Sequence, residues 1–227
     1  MSIIADNLTH AVFIKEQKNR FICEVELSGR SVECYVPSSC RLSNFIELKG
    51  KSVLVQPTNG YGARTEYSLI AIPYKHSYIL LNSSLANRIV ESSIMGRRFS
   101  FLGKRLYIQK EQRIEGYKTD LFITDSKTII EVKSLISMDA SACFPTVYSE
   151  RAINQLKLLL DLLHRGYNAC YLIISLNPYV KEVLVDIESE QCKLLRECIS
   201  HGMMVKGFSC RLKDGNITLN KIIPVYI

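Results

Sequence analysis

Between residues 115 and 133 the chain reads EGYKTDLFITDSKTIIEVK, with its apolar positions in two short runs, 121–124 and 128–132. The residues between them, Asp125, Ser126 and Lys127, are turn formers, so the pattern predicts two adjacent strands in a tight hairpin. Side chains alternate faces along a strand, which puts Glu131 and Lys133 on one face and Val132 on the other. A hairpin turning at 125–127 also brings Asp120 back beside that strand end. Two carboxylates and one ammonium are thereby expected to converge at the rim of an apolar sheet.

Residues 1–78 read as β throughout. FICEVELS, SVECYVP, SVLVQP and TEYSLIAIPY carry short or alternating apolar runs, punctuated at Ser28-Gly29-Arg30, Pro37-Ser38-Ser39 and Thr58-Asn59-Gly60. Strands at this spacing predict a small closed barrel of the OB-like kind. From residue 79 the pattern changes. A strand at 78–81 runs into a helix from about Leu85, capped by Asn82, Ser83 or Ser84. A strand at 105–113 precedes the hairpin, and 134–150 shows no regular period. A helix follows over 149–165, with Ile153, Leu156, Leu160 and Leu163 on one stripe and Gly166 as its stop. ACYLIIS at 169–175 reads as a buried strand, 188–201 as a helix, and VKGFSCRL with NKIIPVYI as closing strands. This order predicts an α/β (α+β) domain over 79–227, with a central mixed sheet flanked by helices.

Charge sharpens the picture. The formal net charge is +7, and it is unevenly shared. Residues 1–78 hold nine Lys/Arg against seven Asp/Glu, and the remainder holds twenty against fifteen. The basic excess travels with the hairpin, as a polyanionic partner would require. The eight cysteines contain no Cys-x-x-Cys spacing, and several lie inside apolar runs, where a thiol acts as a small hydrophobe. With no signal-peptide pattern at the start, a cytoplasmic chain with free thiols is the expectation. No apolar run approaches the ~20 residues of a membrane span.

The candidate chemistry follows from residue type. Carboxylate oxygens are the ligands that Mg²⁺ prefers, so Asp120 and Glu131 are candidate metal ligands. Lys133 beside them is placed to activate water and to offset charge on phosphorus. Arg151 and Gln155 lie one helical turn apart and are candidates for phosphate contact and water orientation. Glu91, on the preceding helix, is a candidate supporting carboxylate. In the barrel, Arg20, Phe21, Arg41, Tyr61 and Arg64 form a candidate nucleic-acid surface. The plainer reading of the triplet is a solvated strand end with a surface ion pair.

The chain resembles the sugar fermentation stimulation protein (SfsA) family along most of its length. RFICEVEL at 20–27 is similar to that family's Arg-Phe-Leu-Ala-Asp-Val segment. CYVPSSCRL at 34–42 resembles its Cys-Pro-Asn-Thr-Gly segment, keeping only the proline. LNSSLANRIVESSI at 81–94 is similar to Asn-Thr-x-x-Pro-Asn-Arg-Leu-Val, with Asn82, Asn87, Arg88 and Val90 retained. YKTDLFI keeps Asp120 of a Ser-Arg-Ile-Asp-Phe run, with Lys118 where Arg is usual. IIEVKSLIS keeps Glu131 and Lys133 of Val-Glu-Val-Lys-Asn-Val, and ACFPTVYSERAINQL keeps Phe144, Pro145 and Arg151. The departures are Thr146 for the family's Asp, Ala152 for its Gly and Asn154-Gln155 for its Lys-His. Its helix glutamate falls at Ser92, next to Glu91.

The resemblance implies an N-terminal OB-like domain and a C-terminal nuclease-like domain of the PD-(D/E)xK superfamily, with Asp120, Glu131 and Lys133 as its Asp, Glu and Lys. The expected function is metal-dependent hydrolysis of phosphodiester bonds in DNA or RNA, with Mg²⁺ or Mn²⁺ as cofactor. Arg20, Arg41, Arg64 and Lys118 are the candidate nucleic-acid contacts, and a second copy of the chain is a candidate partner. The alternative is a non-catalytic DNA-binding regulator of sugar-metabolism genes on a nuclease-like fold.

Overall fold

The computed structural model describes residues 2–38, 41–58 and 63–227. After a two-residue strand, β1 (Ile3–Ile4), come β2 (Thr9–Glu16), β3 (Ile22–Leu27), β4 (Arg30–Tyr35), β5 (Ser52–Pro57), β6 (Tyr67–Tyr74) and β7 (Ser77–Leu80). Strands β4, β3, β2, β5 and β6 pair in that order, and β4 pairs again with β6, which closes a five-stranded barrel. Closure removes the free edges that an open sheet would expose. Val25, Val53, Val55, Leu69 and Ala71 fill the interior and are fully buried. Strand β2 is absent from the sequence-based prediction. Ala11 and Phe13 face inward while Val12 is exposed, so apolar residues occupy both faces and blur the alternation.

The chain continues through α1 (Leu85–Ser93), β8 (Ile108–Lys110), β9 (Arg113–Ile114), β10 (Tyr117–Lys118), β11 (Leu121–Ile123), β12 (Thr128–Leu135), β13 (Ser141–Phe144) and α2 (Glu150–His164). It ends with β14 (Asn168–Ser175), β15 (Glu182–Val185), α3 (Glu190–Ser200), β16 (Met204–Lys213), β17 (Asn216–Ile223) and β18 (Val225–Tyr226). A seven-stranded sheet runs β1-β17-β16-β14-β12-β11-β8. β12, β14 and β16 are parallel at its centre and the outer pairs are antiparallel, so the sheet is mixed. β11 and β12 form the expected hairpin, with Ile123 opposite Thr128. β1 belongs to this sheet although it lies within residues 1–78, since Ile3 pairs with Ile217.

The period-2 pattern sorts the central strands into two cores. Ile130, Val132, Cys170, Leu172 and Ile174 pack with Leu85, Ile89 and Val90 of α1 and with the barrel interior. Ile129, Ala169, Tyr171 and Ile173 pack instead against α2 and α3. The barrel and the sheet thus share one continuous apolar core, reinforced where Leu80 N–H donates to Leu176 O.

Three local details differ from expectation. Segment 134–150 contains β13, which pairs with β15 and through it with β18, because its partners stand about forty residues or more away. The strand expected at 105–113 is only three residues long. At the start of α1, Asn82 Oδ1 accepts from Ser84 N and Oγ at 3.0 and 2.6 Å, and among the described residues no side chain bonds the first turn from Ser84. Helix α2 has the predicted stop, and Ser149 caps it by accepting from Ala152 N at 3.2 Å.

Candidate functional site

The register of the β11–β12 hairpin decides where the site falls. Asp120 stands one residue before β11, beside Val132 of β12. Its Oδ2 accepts from Val132 N at 2.7 Å and its Oδ1 from Asn87 Nδ2 of α1 at 2.8 Å. Two fixed donors leave the carboxylate no rotational freedom, yet each oxygen keeps a lone pair for another partner. Burial, and after it the neighbouring Glu131, raises the Asp120 carboxyl to about 6. Val132 N–H, Lys133 and Asn87 pull in the opposite direction.

Glu131 is 3% exposed. Tyr117 Oη donates to its Oε2 at 2.5 Å, and Lys133 Nζ donates to its Oε1 at 2.6 Å. The same ammonium donates to Gln155 Oε1 of α2 at 2.9 Å and lies 6.0 Å from the Tyr171 ring centre. Burial first, then the Glu131 charge, pushes the Tyr117 hydroxyl well above its ordinary range, which keeps it a proton donor. The buried acid is therefore paired and hydrogen-bonded, as a charge out of water must be.

A cavity of about 550 Å³ opens over this cluster, lined by Asp120, Glu131, Lys133, Arg151, Gln155 and, from the turn between β2 and β3, Arg20. Two domains and three cations thus face two acids. Arg41 does not line the cavity; its guanidinium donates to the carbonyls of Gln17 and Lys18 at 3.2 and 3.1 Å, holding the turn that carries Arg20. Arg20 lies over the Phe21 ring, 4.7 Å from its centre. Tyr148, 74% exposed, stands on the wall before α2.

Other predicted residues lie elsewhere. Glu91 is ion-paired with Lys110 and lines a smaller adjoining cavity that also reaches Asn87 and Asp120. Lys118 pairs with Glu111 at 2.6 Å on the surface. Arg64 is exposed, and Tyr61 lies outside the described residues. Sequence reasoning gave no role to Tyr117, Asn87, Tyr171 or Gln191, which all meet the site across the fold. Asn87 carried a signal, as a residue retained in the resemblance, and Tyr117 carried none.

The donor set fits a hard divalent cation, because it consists of adjacent carboxylates with no soft ligand. Among the described residues no three His, Cys, Asp or Glu side chains cluster. A cation here would take Asp120 and Glu131 from the protein and complete its shell with water and substrate oxygens. No helix among the described residues is long and apolar enough to cross a membrane. Seven of the cysteines are described; all are free, and Cys143 alone of these is exposed.

Comparison with known proteins covers both halves of the chain. Residues 16–81 match the SfsA N-terminal OB domain, and residues 84–216 match the sugar fermentation stimulation protein RE domain. The sugar fermentation stimulation protein homolog of Caldanaerobacter subterraneus subsp. tengcongensis is 29% identical over 99% of this chain and 100% of its own. That of Clostridium acetobutylicum is 25% identical over 98% and 99%. The structure of Pyrococcus furiosus SfsA in complex with Ca²⁺ superposes with a TM-score of 0.88 at 20% identity, covering 100% of both chains. With its barrel and its sheet domain each accounted for, the chain belongs to the sugar fermentation stimulation protein (SfsA) family.

Proposed function

We propose that the cavity between barrel and sheet is the active site of a metal-dependent nuclease of the PD-(D/E)xK type, hydrolysing phosphodiester bonds in DNA or RNA. One observation carries this reading: Asp120, Glu131 and Lys133 meet at one strand rim, under a cavity that Arg20 and Arg151 make cationic. The Ca²⁺ in the Pyrococcus furiosus relative supports a hard-cation site in this fold.

Asp120 and Glu131 would hold Mg²⁺ or Mn²⁺. Bound there, the ion would supply Lewis acidity toward a phosphoryl oxygen and make water a stronger nucleophile. Lys133, held by Glu131 and Gln155, presents its ammonium at a fixed point where charge develops on phosphorus, and it orients the attacking water. Asn87 and Val132 N–H fix Asp120, while Tyr117 fixes Glu131. Arg151 and Arg20 bind phosphate from the sheet domain and the barrel, so the scissile bond sits between the two domains.

The test is cleavage of end-labelled single-stranded DNA, duplex DNA and RNA by the full chain with Mn²⁺ or Mg²⁺, and its arrest by EDTA. One observation favours the second reading, a nucleic-acid-binding protein with a silent site: both Glu131 oxygens already have protein partners. Under that reading the chain binds all three substrates and cuts none.

A further inference from the structure

A further cavity, of about 430 Å³, lies at the opposite end of α1 from Asn87. Arg97, Arg98 and Arg211 line it with Ser93, Thr218 and Asn220, and among the described residues no acidic side chain does. Arg98 is fixed, because its guanidinium donates to the carbonyls of Leu219 and Asn220 at 2.8 and 2.9 Å. Arg97 and Arg211 are exposed and take part in no ion pair among the described residues. Arg105 adds a further held cation: it donates to the carbonyls of Gly103 and Gly96, the latter on the cavity wall, and its buried Nε has no partner.

The sequence concentrates charge at this spot. From Ser92 to Gln109 there are four Lys/Arg and no Asp or Glu, and β17 has no acid either. Like charges this close, without neutralising partners, repel one another in the free protein. An anion with several acceptor oxygens relieves that repulsion, and guanidinium forks match phosphate oxygens in pairs.

We infer that this arginine cleft binds backbone phosphates of nucleic acid, as a second grip separate from the cavity at Asp120. The choice of nucleic acid as the polyanion rests on the proposed function. Asn87 contacts Asp120 and Ser93 lines the cleft, so six residues of helix, about 9 Å of rise, separate the two sites along α1. A strand of about ten nucleotides, roughly 34 Å at 3.4 Å each, is long enough to engage both.

The test compares the full chain with its Arg97→Ala/Arg211→Ala double variant. Arg98 is left in place because it holds backbone carbonyls, and thermal unfolding checks that the variant stays folded. Anisotropy of a labelled 20-nucleotide single strand, in EDTA, is titrated over a range of KCl. The expected result is an affinity about tenfold lower at low salt. The slope of log K against log salt should be shallower by about 1.4, the value for two single-strand phosphate contacts. Hydrolysis of bis(p-nitrophenyl) phosphate with Mn²⁺, which needs only the first cavity, should be unchanged. Equal affinity and equal slope in the two proteins would overturn the inference. So would a variant that loses inorganic phosphate binding yet keeps the oligonucleotide slope, since the ligand would then be a small phosphate. A wild type that hydrolyses nothing defeats the nuclease reading, while the salt comparison still decides the fate of the cleft.

Discussion

The cavity at Asp120 and the cleft at Arg97 lie at the two ends of α1 and are built on opposite rules. In the first, the two acids and the lysine are held: Asp120 by Asn87 and Val132 N–H, Glu131 by Tyr117 and Lys133, Lys133 by Gln155. In the second, Arg98 and the nearby Arg105 are held by backbone carbonyls, while Arg97 and Arg211 reach into solvent. Chemistry requires groups fixed within fractions of an ångström, and that demands burial, hydrogen bonds and tolerance of electrostatic strain. Holding a chain of phosphates requires only charge, which exposed side chains supply at little structural cost. Substitutions in the first place should therefore alter stability and turnover sharply. In the second they should alter salt-dependent affinity alone.

The largest expected effect is on stability. Asp120 titrates at about 6 in the folded chain against 3.8 as its ordinary value. The folded state therefore holds this proton more tightly, and the stability it contributes is complete below about pH 4 and lost as pH rises through 6. The loss is about 3 kcal/mol, on the order of 1.36 kcal/mol per pH unit of separation. Asp120→Asn, unfolded with urea in EDTA, should be more stable than wild type above pH 6, with the difference shrinking toward pH 4. A difference that stays flat with pH would mean that the carboxylate is not strained, and the contrast between the two sites would weaken.

Turnover comes next. Lys133→Met keeps the aliphatic stem and removes the ammonium, so kcat should fall about 10²-fold, the scale of one electrostatic or general-base group. Near-normal kcat would reduce Lys133 to a structural partner of Glu131. Tyr117→Phe removes the donor to Glu131 Oε2 with little change of shape. Mn²⁺ affinity, by calorimetry, should weaken about tenfold, as for other groups that orient a metal ligand. Unchanged affinity would show that Glu131 needs no such support.

The smallest effect should come from the barrel. Arg20→Ala should raise KM a few-fold, within the range of about 1 kcal/mol for a partly exposed charge, and leave kcat nearly unchanged. A larger fall in kcat would place the barrel inside the catalytic machinery rather than at its mouth.

How legible these features were depends on their range along the chain. The hairpin was readable because its two strands and turn lie within fifteen residues, and alternation alone set Glu131 and Lys133 on one face. The barrel was readable from strand spacing, apart from β2, whose two faces both carry apolar residues. The strands β1, β13 and β15 escaped because pairing over long separations stabilises them: Ile3 meets Ile217, and Ser141 meets Glu182. The same limit hid Tyr117, which reaches Glu131 only after β9 and β10 turn the chain back on itself. The arginine cleft had no place in the sequence-based prediction, because Arg211 joins Arg97 and Arg98 only through the folding of β16 beside β17.

The measurement that reaches the central claim most directly pairs Mn²⁺ titration calorimetry with a cleavage assay on the wild type, Asp120→Ala and Glu131→Ala. Each substitution removes a cavity-lining carboxylate, and because Glu131 is buried against Tyr117 and Lys133 its loss also costs stability, so thermal unfolding first checks that both variants are folded. The wild type should bind Mn²⁺ and cleave labelled nucleic acid, and EDTA should stop it. Both variants should lose the binding heat and show no cleavage above background. If the folded variants bind Mn²⁺ with unchanged affinity or cut as the wild type does, Asp120 and Glu131 are not the metal ligands of a nuclease, and the account is wrong at its centre.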